Sequence, residues 1–231
     1  MPRPRLKQLA LLGIAAQAMA VLITFPLWLS RQRRWGATAE EVARPMPGDE
    51  IIPDPNYTTT RAVTVDAPPD CIYPWLLQMG HGRGGLYSYD FLDRLFGILD
   101  EPSAERIHPE WQNLHVGDVI PLKSGKPFPV AILEQDRAFV LADLEVGYTW
   151  QTCMFPQPDG STRLVTRNRG GFPASLGWRF WMFWLDIAAF VMVRRWLIVL
   201  KGRAETLHRE REYAAAEELL LSLVGANRER P

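Results

Sequence analysis

Apolar positions concentrate in two stretches of this chain, residues 9–29 and the run from Ala174 to about Tyr213. The second run carries Trp178, Phe180, Trp181, Phe183, Trp184, Leu185, Ile187, Phe190, Val191, Met192, Trp196, Leu197, Ile198 and Leu200, with neither Pro nor Gly between Gly177 and Gly202. That pattern predicts one long, aromatic-loaded helix. At about 100° per residue, Arg179, Asp186, Arg194 and Lys201 fall in one narrow polar stripe. Most of the remaining circumference of the N-terminal half is apolar, and a helix of that kind must be covered on most sides. Its uncharged runs on either side of Asp186 fall well short of the about 20 residues that cross a bilayer. The expected arrangement is therefore a helix gripped by a sheet, its outer face able to rest at a membrane surface.

Leu9 to Leu29 is a different kind of stretch, 21 residues without a charge, interrupted by Gln17, Thr24 and Pro26. Arg3, Arg5 and Lys7 precede it, and Arg31, Arg33 and Arg34 follow. It is long enough to span. The small residues Ala16, Ala18 and Ala20 lie inside the run and none follows Leu29, which favours an uncleaved anchor over a signal peptide. Basic residues flank both ends, so the side of the membrane that holds the domain stays open.

Residues 31–59 are rich in Pro and acidic side chains and read as an extended linker, with a short helix at Thr38 to Ala43 capped by Thr38 and Glu41. Arg61 to Asp66 alternates as a strand, and Ala67-Pro68-Pro69-Asp70 opens a helix carrying Ile72, Trp75, Leu76 and Met79. After the glycine-rich turn from His81 to Gly85 a second helix holds Phe91, Leu92, Leu95 and Phe96, with Ser88 as its expected cap. Five strand-like runs follow in meander spacing: Asp118–Leu122, Pro127–Glu134, Ala138–Asp143, Tyr148–Phe155 and Thr162–Arg169. The order is strand, two short helices, five antiparallel strands, long helix, with a charged helical tail over 205–231.

Lys and Arg number 26, as do Asp and Glu, so no basic excess is available for nucleic acid and none is expected as a partner. Cys71 and Cys153 form no framework and read as buried apolar residues. His81, His108, His115 and His208 are scattered, so no metal site is expected, and no cofactor fingerprint occurs.

Several short runs carry a family likeness: Arg34-Trp35-Gly36-Ala37-Thr38, Pro47-Gly48-Asp49, Thr60-Arg61-Ala62, Asp66-Ala67-Pro68, Trp75 to Gly80, Gly82 to Asp90 and Val116-Gly117-Asp118. They resemble the START-like superfamily, also called SRPBCC, and within it a bacterial branch near polyketide cyclases and lipid-transfer proteins. The likeness covers about Trp35 to Ala204 and is most specific from Trp75 to Asp90. It implies an α+β helix-grip fold over residues 60–204, a curved antiparallel sheet around the long C-terminal helix with an apolar cavity between them. One transmembrane helix, in residues 1–30, would precede it.

Candidate ligand contacts follow. Arg83 in its glycine-rich turn could receive an anionic oxygen near a helix N-terminus, or could simply pair with Asp90 or Asp93 in a tight turn. Trp75, Met79, Tyr87, Tyr89, Trp150 and Met154 are candidate cavity lining, or plain core. Arg167 and Arg169 share one strand face, while Arg179 and Asp186 share one helix face; Arg167 and Asp186 could hold a polar headgroup, or lie on an exposed stripe. The leading reading is a membrane-anchored binding module for an apolar small molecule or lipid, held in a bacterial cytoplasmic membrane through residues 9–29. The alternative is a cyclase or dehydratase in which Arg83, a Tyr hydroxyl or Asp143 handles protons. A scaffold with a filled core is the third.

Overall fold

The computed structural model describes residues 24–228, together with Gly13, Gln17 and Met19. Six antiparallel strands form one sheet: β1 (Tyr57–Val65), β2 (Val119–Ile120), β3 (Phe128–Glu134), β4 (Ala138–Asp143), β5 (Tyr148–Pro156) and β6 (Thr162–Gly170), in the order β1-β6-β5-β4-β3-β2. The chain thus lays β1 first, runs the meander away from it, and returns β6 beside it over nine paired positions from Tyr57↔Gly170 to Val65↔Thr162. Helices occupy residues 24–33 (α1), Ala39–Ala43 (α2), Tyr73–Leu77 (α3), Asp90–Leu95 (α4) and Leu176–Arg228 (α5). An antiparallel sheet followed by a long C-terminal helix is the helix-grip arrangement expected from the order of elements.

Strand alternation divides the sheet into two faces with separate cores. Leu141, Met154 and Leu164 join Trp196, Leu197 and Leu200 of α5 in the main core on the inner face. On the outer face Ala62, Ala138, Cys153 and Val165 pack under Met46. Residues 35–53, which read as an extended linker, supply that cover as a strap across the sheet. Three outward arginines of β6 hold it. Arg163 pairs Nε and Nη2 with the two oxygens of Glu41 at 2.8 Å each, and Arg167 reaches Asp49 at 2.7 Å and the carbonyls of Glu41, Val42 and Arg44. Arg169 takes Asp49 and the carbonyls of Ile52 and Pro53. Gly36 passes so close to β1 that a Cβ there would lie 2.0 Å from the Ala62 carbonyl oxygen, and its φ of 73° is one glycine adopts freely. Helix α2 carries the capping box expected from Thr38 and Glu41.

Two expectations need correction. Ser88 does not cap α4, whose N-cap is Tyr89 without a side-chain bond; the Ser88 hydroxyl instead donates to Asp93. Helix α5 is gripped only in part. Trp196, Leu197, Leu200 and Ala204 are buried, while Phe180, Trp181 and Trp184 are 68%, 59% and 56% exposed. The N-terminal half of α5 is partnered by α1 instead, with Phe25 against Phe183 at 5.5 Å between ring centroids. No helix among the described residues is long and apolar enough to cross a membrane, and the span expected at residues 9–29 lies for most of its length outside those residues.

Asp186 joins the two helices to the sheet. It is 1% exposed and accepts from Gln32 Nε2 (2.9 Å), Arg33 Nε (2.7 Å) and the Tyr57 hydroxyl (2.9 Å), with Arg61 Nη2 at 3.5 Å. Arg61 is itself fully buried, which lowers its pKa, and it also donates to the Gln32 carbonyl and Gln32 Oε1, at 3.0 Å each. Removing the carboxylate strands a buried guanidinium. Asp186→Ala should therefore cost about 3–5 kcal/mol in urea unfolding of the full chain. Glu145→Ala, which breaks a solvent-facing pair with Lys126, should cost far less. Equal costs would show that Asp186 does not anchor the helices.

Candidate functional site

Where α5 leaves the sheet, a groove of about 490 Å³ opens between them. One wall is a stripe along α5, Trp181, Trp184, Leu185, Ala188, Ala189, Met192, Val193 and Trp196, spaced by three and four residues so that all fall on one side of the helix. The opposite wall is the inner face of the sheet, with Phe128, Tyr148, Trp150 and Asn168, and Leu86, Ser88, Phe96 and Ile98 complete the lining. The floor is rigid. Trp150 meets Trp196 edge to face at 5.1 Å, and its Nε1 donates to Thr166 Oγ1 at 3.0 Å.

Polar groups in the groove are few. The Tyr148 hydroxyl donates to Asn168 Oδ1 at 2.8 Å, and Asn168 Nδ2 donates to Thr59 Oγ1 at 3.3 Å. Burial, with Asp186 nearby, pushes the Tyr148 phenol well above its usual value, so it stays protonated and can only donate or accept a hydrogen bond. The indole N–H of Trp196 is buried without a hydrogen-bond partner. Behind Ser88 lies Asp93, fully buried, with one oxygen taking the Ser88 hydroxyl and the other unpartnered. Desolvation raises the pKa of Asp93.

Of the residues expected to contact a ligand, Trp150 stands on the groove wall. Trp75, Met79 and Tyr87 are buried in the main core. Trp75 and Tyr87 lie edge to face at 5.9 Å, beneath the Arg203 guanidinium, which is 5.3 Å and 4.8 Å from the two ring centroids. Tyr89 is on the surface with Arg195 over its ring at 5.4 Å. Arg83 donates to the carbonyls of Leu77 (2.8 Å) and Trp111 (2.7 Å), tying the glycine-rich turn to the segment before β2. Arg167 lies on the outer face under the strap, and Asp186 in the helix junction, its charge met by Arg33 and Arg61. Met154 is core, and Asp143 accepts the backbone N–H groups of Glu145 and Val146 in the β4–β5 turn. Both cysteines are free and buried, and burial pushes the Cys153 thiol up to about 12. Among the described residues no group of three or more His, Cys, Asp or Glu could hold a metal ion.

Sequence reasoning missed Ser88 as wall, Asp93 as a buried carboxyl, and Tyr148 with Asn168. Tyr148 and Asn168 had a usable signal: they alternate with Trp150 and Thr166 on two neighbouring strands, so one inward residue implies the others.

No family model matches the chain, and no curated protein matches it. Among solved structures it is similar to protein CV1439 from Chromobacterium violaceum, at 13% identity over 64% of this chain and 96% of that one, with a TM-score of 0.36. The Aha1 dimer from Colwellia psychrerythraea is similar at 14% identity over 64% of this chain and 96% of its own, TM-score 0.36. The Polyketide_cyc-like protein Cgl2372 from Corynebacterium glutamicum stands at 16% identity over 68% and 93%, TM-score 0.31. At these scores the likeness defines neither the family of this chain nor its function.

The raised Asp93 pKa fixes the sign of a pH effect. The folded chain holds this proton more tightly than the unfolded one, so its contribution to stability is full below the unfolded carboxyl value and lost as pH rises through the folded one. Asp93→Asn should raise the melting temperature at about pH 7 and leave it unchanged near about pH 3. A variant less stable at neutral pH would mean that the ionised carboxylate is needed.

Proposed function

We propose that this protein is a membrane-anchored binding module of START-like type that holds an apolar small molecule or a lipid in the groove between α5 and the sheet. The single observation carrying this reading is the groove itself. Its volume of about 490 Å³ lies within the range of about 300–1,000 Å³ typical of ligand sites, and all of its wall but Ser88, Tyr148 and Asn168 is aliphatic, Phe or Trp. Such a wall selects by apolar area, and the few polar groups orient rather than react. A scaffold with a filled core would have no such space. Residues 9–29 supply the anchor, in a bacterial cytoplasmic membrane.

A second reading, an enzyme of cyclase or dehydratase kind, is favoured by one observation. The Ser88 hydroxyl on the groove wall is hydrogen-bonded to a buried carboxyl whose proton is held above the ordinary range. That pair could pass a proton to a carbonyl substrate. It lacks a second group placed as its complement, so binding is the leading reading.

Native mass spectrometry of the full chain, purified in detergent from a bacterial membrane, tests both. The expected spectrum carries one apolar adduct per chain, reduced at least ten-fold by Ala189→Trp, which fills the groove. Ser88→Ala should keep the adduct. No adduct in the wild type, or one indifferent to Ala189→Trp, would remove the binding reading; a chemically altered ligand that reverts in Ser88→Ala would favour the enzyme.

A further inference from the structure

Among the described residues the aromatic half of α5 has no protein partner along much of its surface, and the direction of α1 says what covers it. Three contacts run in the same order along both segments: Phe25 with Phe183, Arg33 with Asp186, and Trp35 with Arg194, whose guanidinium lies 5.1 Å from the Trp35 ring centroid. The two helices therefore run side by side in the same direction. The described end of the uncharged run, residues 24–29 of α1, meets α5 through Phe25 and Phe183, in the part of α5 that carries the exposed Leu176, Phe180, Trp181 and Trp184. Charges mark the far limit of both helices. Arg31 and Arg34 follow the apolar stretch of α1, and Arg194 and Arg195 follow that of α5, all four exposed. Between Leu176 and Val193 the charged residues are Arg179 and Asp186, and Asp186 is buried and paired.

We infer that this end of the molecule lies in the headgroup and upper acyl region of an anionic bilayer, with the groove opening into it, so that the ligand is a single acyl chain drawn in sideways from the membrane. The inference rests on the binding reading above and names the ligand class and its route. Apolar and aromatic side chains on one face with arginines at its border are what an interfacial helix presents, the rings at the level of the headgroups and the guanidinium groups on phosphates. Trp181, Trp184, Leu185 and Phe96 are both exposed and on the groove wall, so the mouth is part of the same surface. Phe91 and Leu95 of α4 extend it beside the mouth, 72% and 66% exposed. Deeper in, Trp150 and Trp196 close the groove with rings, and its volume accommodates one long chain rather than the whole of a two-chained lipid. The chain belongs either to a phospholipid that stays in the bilayer or to a free fatty acid dissolved in it.

Photocrosslinking of the full chain in vesicles of phosphatidylcholine and phosphatidylglycerol tests this. p-Benzoylphenylalanine would replace Phe180 on the exposed face, Phe128 within the groove, Ile98 as a second groove position should the first fail to fold, and Tyr213 on the tail as a control. The expected result is lipid adducts at Phe180 and at a groove position at least ten-fold above Tyr213. The groove adduct should fall at least ten-fold with Phe91→Asp and Phe180→Asp together, neither of which lines the groove. A phospholipid adduct or a fatty acid adduct in the groove identifies the source of the chain. A groove adduct with no lipid at Phe180, or one indifferent to the two aspartates, would overturn the bilayer route and leave the binding reading intact. Lipid at Phe180 with nothing at either groove position would overturn both.

Discussion

One carboxylate, that of Asp186, settles how the apolar parts of this chain are arranged. It sits within the aromatic N-terminal part of α5, where an ionised group without partners would cost several kcal/mol. Gln32 and Arg33 from α1 and Tyr57 and Arg61 from β1 meet it, so satisfying the charge brings α1, α5 and the sheet together at one point. From that junction the N-terminal half of α5 projects with α1, while the other half, from Trp196 onward, descends onto the sheet. The groove is the space left where the helix passes from one support to the other.

The sheet keeps charge out of that space by alternation. On β6, Arg163, Arg167 and Arg169 point outward and bind the strap, while Leu164, Thr166 and Asn168 point inward. A shift of one residue in the β5–β6 register would bring arginines into the groove, and the strap contacts oppose that shift. The outer face thereby serves the inner one. Buried Arg167, bonded to Asp49 and three backbone carbonyls, is a structural cation whose value lies in fixing where the strap runs.

The groove's chemistry is correspondingly spare. Its walls offer area and shape, with a phenol, an amide and a hydroxyl for orientation. Ser88 and Asp93 pair a hydroxyl on the wall with a buried carboxyl, which could hold a proton close to a ligand. A cavity of this type serves carriers and enzymes alike, which is why the function must be argued from these groups and not from the architecture.

The strands, their order and the long helix were legible in the sequence because alternation and helical periodicity are local signals that survive without knowledge of partners. Ala138–Asp143 was read at its true bounds, and the capping box at Thr38 and Glu41 formed as its spacing required. Partners were not legible. Arg83 in its glycine-rich turn and Arg167 on its strand looked like anion receptors; only the fold shows Arg83 Nη2 taken by two backbone carbonyls and Arg167 by Asp49 and three more carbonyls. Trp75, Met79 and Tyr87 carry the same apolar signal as true wall residues, and which aromatic meets space and which meets Arg203 depends on where α5 lies. The sequence by itself thus determined which faces of each element are apolar. The tertiary structure decided which of those faces touch, because contact depends on distances between segments more than a hundred residues apart, as for Arg61 and Asp186, and no local pattern encodes them.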